Sequence, residues 1–183
     1  NIGLAKETYR RLLDVDPDSV NGLQDLSRLL VTQNDYGGAE TLLRRSSLPV
    51  LVVPQGAEPP RHPLVAYDGS PKAVRALQHA AELARALGLA LAVVTVDQQE
   101  ERARARLDEA ARYLAPYDVQ AAYEFRRGEE VEQELLAMLG PGAFDLVFLG
   151  AHGHSRIVEL ALGSTSQYVA RRAAVPVWCV TRA

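Results

Sequence analysis

The sequence predicts an α/β protein built on a doubly wound parallel sheet with helices on both faces, and three observations carry that expectation. Short apolar runs alternate with helix-length amphipathic segments from residue 63 onward, as in parallel strands joined by right-handed crossovers. Two of the runs, "LALAVVTV" and "FDLVFL", are almost continuously apolar, as strands covered on both faces are. A glycine-bearing stretch, "GAHGHSRIVELALGST" (150–165), leaves the second of these runs and enters a helix. Loops at the carboxyl ends of parallel strands are where such sheets bind ligands.

The elements follow in order. "PLVAYD" (63–68) is a short apolar strand. Ser70 and Pro71 then stand where an N-cap and a first helical residue belong. The helix "KAVRALQHAAELARAL" puts Val74, Leu77, Ala81, Ala84 and Leu87 on one face and stops at Gly88. The second strand is 89–96, followed by the charged amphipathic helix "EERARARLDEAARYLA", ended near Pro116. "VQAAYEF" (119–125) is the third strand, and "GEEVEQELLAML" the third helix, closed by Gly140-Pro141-Gly142. The fourth strand is "FDLVFLG", the fourth helix 164–174, and the fifth strand "PVWCV" (176–180). Upstream, the Pro-rich "PQGAEPPRH" (54–62) reads as a linker, too poor in apolar residues to pack and too rich in proline for a helix. It divides a first piece, 1–53, from the α/β domain, 63–183.

Composition narrows the partners. A net charge of −3 over 183 residues leaves no basic footprint for nucleic acid and no basic run for a membrane surface. No apolar stretch approaches a span of about 18 residues, and nothing at the start reads as a secretory signal. The single cysteine, Cys179, excludes an internal disulfide and fits a reducing compartment, so the expected location is cytoplasmic.

The glycine stretch suits an anion. Gly150 ends a buried strand, Gly153 lets backbone approach a ligand without a Cβ in the way, and Gly163 opens the turn into the next helix. Ser164, Thr165 and Ser166 add hydroxyls and free backbone N–H groups at a helix N-terminus, which carries partial positive charge. From the glycines alone, a plain turn followed by a capped helix is an equally good account. No "GKS" or "GKT" follows, so the stretch is not a usual P-loop, and the compact G-x-G-x-x-G of dinucleotide folds is missing. His152 and His154 lack further metal ligands nearby in sequence. Ser155 and Ser164 lack a G-x-S-x-G elbow. Arg156 could approach phosphate, whereas Glu159 would repel it. His79 reads as a surface or boundary residue, and Cys179 as inert core.

Two segments carry a resemblance. "LVAYDGSPKAVRAL" and "DLVFLGAHGHSRIVELALGSTSQYVARRAAVPVWCV" resemble the opening and closing segments of the universal stress protein family. The spacing of Gly150, Gly153, Gly163 and Ser164 matches that family's nucleotide signature: glycine, two residues, glycine, nine residues, glycine, then serine or threonine. The resemblance covers about residues 61–182. It implies a five-stranded parallel sheet in the order 3-2-1-4-5 and a crevice between strands one and four. It further implies that ATP or ADP would bind there, with Ala66, Tyr67 and Asp68 bordering the base and Val96 closing the pocket. Leu149 and Gly150 would lie near ribose and phosphate. Gly153, Gly163, Ser164, Thr165 and Ser166 would hold the phosphates, and Mg²⁺ or Mn²⁺ would accompany them as counter-ion. The implied function is that of a nucleotide-binding stress-response or regulatory module. No positioned general base is visible, so at most weak ATP hydrolysis is expected. The alternative is a nucleotide-independent dimerisation or partner-binding module of the same fold. An adenylyl-transfer enzyme would need further substrate-binding segments.

The first piece contains an internal repeat. "LRRSSLPVLVV" aligns with "ARRAAVPVWCV": Arg44 with Arg171, Arg45 with Arg172, Pro49 with Pro176, Val50 with Val177 and Val53 with Val180. Residues 37–53 thus read as the last helix and strand of a preceding universal stress-like domain, in a tandem arrangement with a reduced or incomplete first domain. Residues 1–36 read as two helices, 4–13 and 20–31, without a buried strand. A tetratricopeptide-like helix pair is the other reading of this piece. Either way "PVLVV" would be an aggregation-prone edge unless it found a sheet. The expectation is that Pro49–Val53 pairs with Pro176–Val180, within the chain or across a homodimer.

Overall fold

The structure, a computed structural model, describes residues 31–32, 49–140, 143–151 and 164–180. Seven strands form one sheet: β1 (Val31–Thr32), β2 (Val50–Val53), β3 (Pro63–Ala66), β4 (Leu91–Asp97), β5 (Ala121–Arg127), β6 (Leu146–Gly150) and β7 (Val177–Val180). Four helices accompany them: α1 (Pro71–Leu87), α2 (Glu100–Leu114), α3 (Val131–Met138) and α4 (Ser164–Arg172). The spatial order is β1-β2-β7-β6-β3-β4-β5. From β3 onward this is the expected 3-2-1-4-5 arrangement, with β3 at its centre and every neighbouring pair parallel.

Strict alternation of side chains sorts the sheet into two faces. Val65, Tyr67, Leu91, Val93, Leu146, Phe148, Trp178 and Leu51 point toward α1 and α2, where they pack with Ala76, Leu77, Ala80, Leu107 and Leu114. Leu64, Val94, Val147, Leu149, Val177, Cys179, Val50 and Val52 point toward α3 and α4, where Leu135, Met138, Val169 and Ala170 meet them. The central strands are buried on both faces, which explains why "FDLVFL" is apolar almost throughout rather than at every second residue. Helix α1 begins as its sequence directs: Ser70 Oγ accepts from Ala73 N at 3.2 Å, and Pro71 opens the first turn.

Four expectations need correction. The sheet has seven strands, against the five expected of the domain itself plus the expected pairing strand β2, because β1 extends it beyond β2. A helix was expected through Val31, but Val31–Thr32 is strand, lying parallel to Val52–Val53; two β-branched residues beside an open edge favour a ladder over a helix end. The linker does pack, since Pro54, Ala57 and Pro60 are all buried. Its turn is closed by Ala57 N donating to Pro54 O at 3.2 Å, and Asp145 accepts from Arg61 N and His62 N, each at 2.8 Å. Prolines need no partner for a missing N–H, so a proline-rich segment can lie against a core at little polar cost. The first strand of the domain ends at Ala66, two residues before Asp68. The expected pairing of Pro49–Val53 with Pro176–Val180 occurs within the chain: Val50 opposes Cys179, Leu51 opposes Trp178 and Val52 opposes Val177, antiparallel. The helices expected in residues 4–13 and 20–30 lie outside the described residues.

Candidate functional site at the carboxyl ends of β3 and β6

The parallel strands β3 and β6 lie side by side, with Val65 opposite Phe148. Their following helices go to opposite faces, α1 to one and α4 to the other. Where neighbouring strands send their loops apart in this way, a crevice opens beyond the carboxyl ends. The structure thus brings Ala66, Tyr67, Asp68, Leu149 and Gly150 to one rim, with Val96 near the end of the adjacent β4 and Ser164, Thr165 and Ser166 opening α4. Gly153 and Gly163, with His152, His154, Ser155, Arg156 and Glu159, lie outside the described residues.

On the β3 side the backbone is tied down. Tyr67 N donates to Val94 O at 2.8 Å, and Thr95 Oγ1 donates to Tyr67 O at 2.8 Å. Asp68 Oδ1 accepts from Ser70 N at 2.9 Å, which bends the chain through Gly69 (φ +79) into α1. Ala66 and Val96 are half-buried on the same face as buried Leu149 and Ala151, so these four form the apolar wall on the α3–α4 side. The Tyr67 side chain faces the other way. It is buried with α1 and α2, and burial, with the Glu109 carboxylate close to its hydroxyl, pushes its pKa upward. Only the backbone of Tyr67 is therefore offered to the crevice.

On the β6 side Gly150 carries a packing duty as well as ending the strand. A Cβ there would lie 2.9 Å from Ala73 N and 3.0 Å from both the Lys72 carbonyl carbon and Lys72 Cβ. The first turn of α1 thus rests directly on bare backbone, and burial there lowers the Lys72 pKa. Ser166, 2% exposed, donates its hydroxyl to Gly150 O at 2.8 Å. That bond ties the α4 start to the end of β6 and commits the hydroxyl proton, leaving Ser166 a bracket more than a free donor. Ser164 is exposed and Thr165 half-buried, with Thr165 Oγ1 3.4 Å from Glu132 Oε2 in the first turn of α3. Lys72 and Glu132 did not stand out in the sequence. Nothing in a linear string says that α3 packs beside α4, or that α1 touches the end of β6.

Next to Val96, β4 ends in Asp97, whose side chain is 4% exposed. Arg102 Nε reaches Oδ2 at 2.7 Å, Arg106 Nη1 reaches it at 2.9 Å, and Gln99 N donates to Oδ1 at 2.9 Å. The Arg102 hydrogen bond, above all, holds the carboxyl at about 2, against the opposing effect of burial. This clamp fixes the β4 rim to α2. It faces the α1–α2 side, away from the apolar wall.

Comparison with known proteins agrees with this fold. The pattern of the Universal stress protein family matches residues 60–181. A universal stress protein of Synechocystis is 34% identical over 140 residues, which is 75% of this chain and 48% of that protein. A solved universal stress protein from Archaeoglobus fulgidus is 25% identical with a TM-score of 0.63, covering 83% of this chain and 57% of its own. A universal stress protein solved in complex with cAMP is 26% identical with a TM-score of 0.57, covering 67% of this chain and 98% of its own. The chain therefore spans about half the length of the curated relative it matches. With the family pattern extending over two thirds of the sequence and the sheet order in agreement, this chain belongs to the universal stress protein family.

Proposed function

We propose that the chain is a nucleotide-binding member of its family, taking ATP or ADP in the crevice between β3 and β6. The observation that carries this reading is the joint between β6 and α4, where Ser166 fastens the helix start to the Gly150 carbonyl. It sets the first turn of α4 at the strand end, where a phosphate tail would meet the donors of a helix N-terminus. Ala66, Val96 and Leu149 would then pack against the base or ribose, and Asp68 would border the base. Gly153 and Gly163 would let backbone approach the phosphates. A solved relative bound to cAMP supports a nucleotide as the ligand class.

The cation of this reading is one brought in with the phosphates. Among the described residues no group of three or more His, Cys, Asp or Glu could hold a metal. Glu132, beside Thr165, is a single carboxylate that would repel a bare phosphate and would help to hold Mg²⁺ or Mn²⁺ carried with it. When bound, the cation supplies charge neutralisation, while the chain contributes Thr165, the α4 N–H groups and Glu132. Binding would act through a change of state or partner. A dimer formed with a second copy, like the cytoplasmic location, belongs to the same proposal. Among the described residues no helix is long and apolar enough to cross a membrane.

The test is calorimetric titration with ATP, ADP and cAMP, each with and without Mg²⁺. Saturable ATP or ADP binding that Mg²⁺ strengthens, and that Gly153→Val abolishes, is the expected result. Absence of heat at millimolar nucleotide, or unchanged binding in Gly153→Val, removes the assignment and favours the nucleotide-independent module.

A further inference from the structure

The strand register turns the internal repeat into a symmetry. Under the repeat, Val50 corresponds to Val177, Leu51 to Trp178, Val52 to Cys179 and Val53 to Val180. The ladder pairs Val50 with Cys179, Leu51 with Trp178 and Val52 with Val177. Exchanging the two copies carries each of these pairs onto a pair of the same ladder, and carries Leu51–Trp178 onto itself. That is the signature of an isologous, two-fold contact, here supplied by one chain.

The next strands obey the same operation. β1 lies parallel beside β2, as β6 lies parallel beside β7. Val31 pairs with Val52 and Thr32 with Val53, while Leu149 pairs with Cys179 and Gly150 with Val180. Position 31 therefore takes the place of Leu149, and position 32 the place of Gly150.

The two copies differ where the phosphates would sit. Thirteen residues separate Gly150 from Ser164, whereas four separate Thr32 from Gly37, the counterpart of Ser164. A spacing of nine residues between two glycines has no room in that shorter connection. The hydroxyl pair Ser164-Thr165 is replaced by Gly37-Gly38, and Asp35 brings a carboxylate into the shortened segment. A residue with a Cβ, Thr32, stands where the second copy has bare backbone.

We infer that residues 31–53 close a second unit of the same fold that has lost its phosphate site, so that the chain takes one nucleotide across a sheet shared by two units. This rests on the nucleotide reading above and extends it to stoichiometry and asymmetry. The first unit's contribution is its pairing strand, which seals the β7 edge that the second unit would otherwise expose.

The test is the number of MgATP molecules bound per chain, by equilibrium titration of the wild type, Ser164→Asp and Gly163→Val. An acidic residue at the exposed first position of α4 suits the helix but opposes phosphate, so the Ser164→Asp chain should fold, as checked by its thermal melt. The expected counts are one for the wild type and none for either variant. Two per chain in the wild type, or one retained in both variants, overturns the single-site inference and leaves nucleotide binding standing. None in the wild type overturns both.

Discussion

A methyl group at position 150 would collide with the amide of Ala73, an atom fixed by the first turn of α1. Gly150→Ala should therefore force α1 away from β6 and lower stability by about 1–3 kcal/mol, the usual range for overpacking. Its denaturant midpoint should fall with little change in slope, and an unchanged midpoint would show that the turn yields freely. This glycine shows how far the site could be read in the sequence. Its spacing to Gly153 and Gly163 marked it as functional, and its strand-end position was visible in "FDLVFLG". Its contact with Lys72 and Ala73 was not, because those residues lie 78 and 77 positions earlier in the sequence. The direction of the Tyr67 side chain was hidden for a related reason. A string of residues shows that "VAYD" ends a strand, but which side chain faces the crevice depends on where the pleat stops. Ser166 was legible as one of three hydroxyls, yet only its distance to Gly150 O reveals a joint rather than a free donor.

At the scale of elements, the β4–α2 corner depends on one carboxylate. The hydrogen bond from Arg102, with further help from Gln99 N and the Arg106 charge, keeps Asp97 ionised down to about pH 2. An unfolded aspartate titrates near 4. Folding therefore favours the ionised form, and the clamp's contribution is fully present above about pH 4 and drains away as pH falls toward about 2. Urea midpoints measured at pH 7, 4 and 2.5 should drop over that interval in the wild type and change less in Asp97→Asn, which should start lower. Equal slopes for the two proteins would assign the acid sensitivity elsewhere. The elements themselves were the most legible part of the chain, because caps and periods of two or 3.6 are local properties. Ser70-Pro71 announced α1, and its cap is made as expected. β1 was missed since a two-residue strand has no period of its own; the ladder it completes is non-local.

Over the whole molecule, the central fact is that β2 occupies the outer side of β7. Val52, 2% exposed and opposite Val177, sits in the middle of that seam. Val52→Lys should place an unpaired charge in a buried seam, free the β7 edge, and show up as a lower melting temperature together with self-association in sizing experiments. A variant that elutes and melts like the wild type would deny the seam any role in closing the sheet. The sheet order from β3 to β7 followed from the family resemblance, not from periodicity, which gives strands without their neighbours. The packed linker was hidden because proline counts as a breaker in a string, although three buried residues here let it serve as lagging for the sheet.

The polarity of that seam has a mechanical consequence. Val50 begins β2 and lies opposite Cys179, next to the end of β7, so the chain enters and leaves the ladder at the same end. Tension applied through those two flanks would load the rungs one after another, like opening a zip, instead of straining all of them together in shear. The first rung to give way is the one holding the chain's sole thiol. Stretching would strip β2 from the outer edge of β7 while β6 still holds the inner one, making the joint between the two halves a fuse that opens ahead of the sheet behind it.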